Sequence, residues 1–100
     1  MIVVRDIFRV KFGQAKEAAA IWKQTLGLLQ KLGYGQSSRM LTDLVGPDYY
    51  TLVLETSYDS LAQWEKAGRD IASNTEWQAL YKKVIPLTET GRREVLRTIE

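Results

Sequence analysis

The stretch from Tyr49 to Thr56, YYTLVLET, is apolar on both sides of an extended chain. Tyr50, Leu52 and Leu54 share one side, and Tyr49, Thr51 and Val53 the other. A strand of that kind needs cover on both faces, which puts it at the centre of a sheet. Within a few residues the spacing becomes helical. Ser60 and Gln63 form a capping box, and Leu61 and Trp64 supply the first apolar contacts of a helix. A central strand feeding straight into an amphipathic helix is a strong constraint on topology.

The flanking segments complete the pattern. Residues 2–11 read as a strand whose even positions Ile2, Val4, Phe8 and Val10 are apolar, with Asp6 the exception. Arg5, Arg9 and Lys11 lie on the odd side with Val3 and Ile7. Ala15, Ala18, Ala19, Trp22, Leu26 and Leu29 recur at helical spacing, and Gly33 sits where a left-handed cap belongs. Gly27 inside that helix implies close packing or simple tolerance. Residues 35–45 read as a second strand, and Gly46, Pro47 and Asp48 as a turn. The second helical region carries another capping box at Ser73 and Glu76, a kink near Gly68 and a stop at Pro86. A fourth strand is expected from Gly91 onward.

The order strand, helix, strand, strand, helix, strand is the ferredoxin-like βαββαβ arrangement, an α+β fold with a four-stranded antiparallel sheet in the order 4-1-3-2. All 100 residues form one domain of about the usual size. Two helical regions cover one face. The other face, bearing Val53 and either Tyr49 or Tyr50, is too apolar to stay bare. A second copy of the chain is the simplest cover.

Composition removes several chemistries. Cysteine and histidine are absent, which excludes disulfides, thiolate nucleophiles, imidazole bases and Cys/His metal sites. The net charge of +2 does not point to a polyanion. An RNA-recognition module shares the strand order but needs basic residues beside its exposed aromatics, and the third strand has none. No phosphate-cradling glycine motif is present, and a serine triad is impossible without histidine. Arg5, Asp6 and Arg9 interrupt any signal-peptide core, and no apolar run is long enough to span a bilayer. The expectation is a cytoplasmic protein with no cofactor, metal, nucleic-acid or membrane partner.

Tyr49–Thr56 followed by Ser60, Leu61, Trp64 and Glu65 resembles the NIPSNAP family, as does the closing Gly91–Leu96 segment. The opening RVKFGQAKEA is similar to the start of NIPSNAP and antibiotic-biosynthesis-monooxygenase domains. The resemblance spans the chain and implies a dimeric α+β barrel, in which two protomers press bare sheet faces together around a space for a small ligand. Some relatives are cofactor-independent monooxygenases acting on aromatic polyketides. Others degrade haem through a histidine ligand, which this chain lacks.

Candidate ligand-binding residues follow from parity. Arg5 and Arg9 could present guanidinium groups to a carboxylate or carbonyl inside the barrel; the alternative is rim ion pairs between subunits. Arg39, Asp43 and Glu55 could form an interior polar cluster, with Glu55 as a base of raised pKa, or a cross-strand ion pair. Tyr50, with Tyr49, Tyr58 and Trp64, could hold an electron-rich substrate, or each could be core with its polar atom satisfied. Tyr34 could rim a pocket. The expected function is binding of a small, largely apolar molecule between the sheets, with cofactor-free oxygenation as its sharpest form and a non-enzymatic dimerisation scaffold as the alternative.

Overall fold

The computed structural model describes residues 1–34 and 37–100. Four strands, β1 (Ile2–Val10), β2 (Ser38–Thr42), β3 (Thr51–Tyr58) and β4 (Thr88–Arg97), make one antiparallel sheet in the order β2-β3-β1-β4. Three helices, α1 (Ala15–Lys31), α2 (Leu61–Ala72) and α3 (Thr75–Val84), cross one face. The chain is an α+β ferredoxin-like domain with β1 and β3 central, as the periodicity requires.

Parity in β1 and β3 decides what the helices cover. Ile2, Val4 and Val10 are buried, as are Leu52, Leu54 and Thr56. Of these, Val10, Leu52 and Leu54 meet Ala18, Trp22 and Leu29 of α1 and Val84 of α3 in a single core. The odd residues of β1 and β3 occupy the uncovered face. Helix α1 ends in a Schellman motif: Gly33 at φ 91° donates to the Gln30 carbonyl, and Tyr34 N–H to that of Leu29. Gly27 has nothing within 4 Å of where a Cβ would stand, so it is tolerated rather than required.

Several boundaries differ from the periodicity. The second helical region breaks at Ser73 and Asn74, not at Gly68, which lies inside α2. Asn74 rather than Ser73 caps α3, accepting from Trp77 N–H at 2.9 Å; Ser73 closes α2. Pro86 sits in a 3-10 turn, Ile85–Leu87, just beyond α3. Strand β4 begins at Thr88, because a bulge at Glu89 lets it pair with Val10. Strand β2 is shorter than expected, and the Gly35 and Gln36 end of that reading lies outside the described residues. Strand β3 starts at Thr51, since Tyr50 has φ 60° and leaves the extended region. A tyrosine held there costs about 1–2 kcal/mol, and its carbonyl is fixed by the Val10 N–H at 2.8 Å.

Candidate functional site

The uncovered sheet face carries three of the expected site residues in one row. Register places Arg39 of β2 beside Glu55 of β3, and Glu55 beside Arg5 of β1. Arg5 Nε lies 2.7 Å from Glu55 Oε2, and Arg39 Nη2 lies 2.9 Å from Glu55 Oε1. Glu94 of β4 continues the row next to Arg5 by register. The Glu55 side chain is only 12% exposed. The hydrogen bond from Arg5, joined by that from Arg39, nevertheless holds its pKa below the ordinary 4.5. Of the two readings of Glu55, the cross-strand ion pair is the one found and the raised, basic carboxylate is not: two guanidinium groups outweigh desolvation, and a depressed carboxylate is a weak proton acceptor.

The other two expected residues stand apart from that row. Arg9 pairs with Glu89 at 3.5 Å, at the bulge. It lines an open groove of about 490 Å³ floored by Ile7, Leu41 and Val53. Tyr50 does not join Arg5, Arg39 and Glu55. Its reversed backbone takes it towards α1, where it packs edge-on against Phe12 at 5.1 Å and borders a hollow with Ala15 and Ala19. Asp43 is drawn off as well, accepting from Thr51 N–H at 2.7 Å to close the β2–β3 loop. Tyr34 donates to Asp70, tying the exit of α1 to α2, and this bond raises the phenol's pKa.

The helix side holds a chamber that strand parity pointed to only through the Asp6 exception. Asp6 lies on the covered face, where its register partner on β4 is Arg93. Arg93 Nε lies 2.5 Å from Asp6 Oδ1, with the side chains 56% and 19% exposed. The guanidinium stands 5.8 Å from the Trp64 ring centroid. The hydrogen bond to Asp6 raises the Arg93 pKa. Tyr58 shares this wall, and burial, then the Asp6 charge, pushes its phenol up.

Aromatic rings build the rest. Phe8 stacks on Trp22 at 4.9 Å, Trp22 meets Trp77 at 6.3 Å, and Trp77 stacks on Tyr81 at 6.2 Å. Gly91 makes room: a Cβ there would come within 3.0 Å of the Phe8 ring. The chamber between the sheet and α2 and α3 measures about 340 Å³. A second hollow of about 360 Å³ shares Asp6, Leu54, Trp77, Tyr81 and Arg93 with it. Each falls within the range of small-molecule sites, about 300–1,000 Å³. Trp22 borders the second hollow, and its Nε1 is buried with no hydrogen-bond partner among the described residues.

The chemistry on offer is narrow. Asp6 engages Nε of Arg93, leaving four of the five guanidinium N–H donors outside that bond. The aromatic walls suit a flat guest. Among the described residues no group of three or more Asp, Glu, His or Cys side chains could hold a metal ion. Among them, too, no helix is long and apolar enough to cross a membrane.

Comparison with known proteins places this geometry. The NIPSNAP family model matches residues 5–100. An uncharacterised NIPSNAP domain protein from Burkholderia xenovorans superposes with a TM-score of 0.83 at 21% identity, covering 99% of this chain and 95% of that one. A NIPSNAP family protein from Agrobacterium tumefaciens gives 0.85 at 19% identity, covering 99% and 93%. A cofactor-independent oxygenase from Streptomyces nogalater, crystallised as a mutant, gives 0.70 at 10% identity, covering 99% and 93%. A comparison with curated proteins finds no match.

Proposed function

The chain belongs to the NIPSNAP family, and from that premise we propose that it is a cytoplasmic homodimer whose helix-side chambers each bind a small, planar, largely apolar molecule bearing an oxygen acceptor. The observation that carries this reading is the Asp6–Arg93 pair set in an aromatic-walled chamber. The guest's ring system lies against Trp64, Trp77 and Tyr81, and its oxygen accepts from Arg93. This moves the ligand from the space between sheets to the space under the helices, because Glu55 already occupies Arg5 and Arg39.

The sharpest form of the reading is cofactor-free monooxygenation; the Streptomyces nogalater neighbour is named a cofactor-independent oxygenase. An electron-rich phenolic guest supplies the electrons itself. A ring CH2 and O2 give a ring carbonyl and water, which balances without any other reductant. Arg93 donates a hydrogen bond to the guest's oxygen and stabilises the negative charge that develops there. The second reading, a non-enzymatic dimerisation domain, is favoured by the Arg39–Glu55–Arg5 row. Its charges answer one another and leave a face suited to a subunit seam.

The test is a titration of tryptophan fluorescence with 1,8-dihydroxyanthraquinone, a planar phenolic probe. Saturable quenching, weakened at least about tenfold in Arg93→Ala, as expected for a charge-assisted hydrogen bond, supports the chamber. Quenching that ignores Arg93→Ala removes it. Oxygen uptake with the corresponding anthrone separates enzyme from binder.

A further inference from the structure

We propose that the hollow beneath Tyr50 is a second, separate binding site, which takes a small amphipathic carboxylate with a flat apolar body. It has a volume of about 380 Å³ and lies between α1 and the β2–β3 end of the sheet, away from the Asp6–Arg93 chamber. Ala15, Ala19 and Lys23 fall at successive four-residue steps of α1 and form one wall. The two alanines leave a smooth floor, and Met40 and Leu52 form the facing side. Met40 is the adaptable element, since an unbranched thioether reshapes around a guest.

Two observations argue for a ligand rather than a packing defect. Tyr50 is the only non-glycine residue at positive φ among the described residues. Tyr50 lines the hollow, and Phe12 packs edge-on against its ring. Strain of this kind persists where surrounding contacts enforce it and often serves a site. The second observation is charge. Lys23 borders the hollow and forms no salt bridge among the described residues. Asp43 also lines the hollow, and its Oδ1 is engaged by Thr51 N–H rather than by Lys23. A guest with one carboxylate at the Lys23 end and an aromatic body under Tyr50 satisfies both.

The experiment maps chemical shifts on the full chain with 4-phenylbutyrate and with its neutral amide. Saturable shifts are expected at the Ala15, Ala19 and Met40 methyls, with the amide at least about tenfold weaker. Lys23→Gln, at an exposed position, should bring acid and amide to equal affinity. Ala19→Phe should abolish the shifts by filling the floor. Equal binding of acid and amide to the wild-type chain would overturn the proposal. So would shifts confined to the Trp64 chamber or the uncovered sheet face. The anthraquinone titration reads that chamber independently, so either site can fail without the other.

Discussion

Asp6 and Arg93 face each other across β1 and β4 on the side of the sheet that the helices cover, 2.5 Å apart. A carboxylate on that face is out of place unless it has a partner, and the register supplies one. Removing Asp6 leaves the Arg93 guanidinium, 56% exposed, to water alone. Asp6→Ala is expected to destabilise the fold by about 0.5–1 kcal/mol, read from urea midpoints. In a double-mutant cycle with Arg93→Ala the coupling should exceed about 0.5 kcal/mol. Additivity would show that the two side chains do not act together.

Glu55 provides a pH-dependent signature. Its native pKa lies below the ordinary 4.5, so the native state favours the carboxylate. The stabilisation is fully present above the unfolded value and is lost as pH falls through the lower native value. Glu55→Gln should therefore be less stable than the parent at neutral pH, with the gap closing as the solution is acidified below about 4. Thermal melts of both proteins across that window measure it. A gap that widens in acid would reverse the assigned shift.

Gly91 is held in place by a ring rather than by its backbone. It has no positive φ, so alanine there would ordinarily add about 0.4–1 kcal/mol through the unfolded chain. A Cβ would, however, meet the Phe8 ring at 3.0 and 3.2 Å, and that ring is stacked on Trp22. Gly91→Ala is expected to cost about 1–3 kcal/mol, with partial rescue by Phe8→Leu. A more stable Gly91→Ala would mean that the ring has room to move.

The cap of α3 separates two readings of one short segment. Asn74→Ala should cost about 1 kcal/mol, because its side chain accepts from Trp77 N–H. Ser73→Ala should cost clearly less, since the Ser73 hydroxyl only donates to the Asp70 carbonyl on the surface. Equal losses would restore the Ser73 and Glu76 capping box.

The strand order was legible from the element order and the two-sided apolar β3, and a two-residue period left two choices for the covered face. Of the Arg39–Glu55–Arg5 row, the Arg39–Glu55 part was legible as a cross-strand ion pair, whereas Arg5 joined it only through the β1–β3 register. Tyr50 was misplaced because a single reversed φ breaks parity, and sequence marks such a position only when it holds Gly or Asn. The chamber escaped notice because its parts come from β1, β3, α2, α3 and β4, and no local spacing joins them. One signal was present: Asp6 alone violated the apolar parity of β1. A charge on a covered face requires a partner, and Arg93 on the last strand was a candidate. The Ser73 and Asn74 ambiguity reflects two adjacent residues that both cap well.

A native mass spectrum of the chain, taken with and without 1,8-dihydroxyanthraquinone, tests the central claim most directly. The expected species is a dimer of the 11.4 kDa chain that takes up one probe per protomer, with uptake at least about tenfold weaker, and the dimer kept, in Arg93→Ala. A monomer across micromolar concentrations would leave the uncovered sheet face without its partner and contradict the dimer. A dimer that holds a single probe, or takes up its probes undiminished in Arg93→Ala, would put the ligand somewhere other than under the helices.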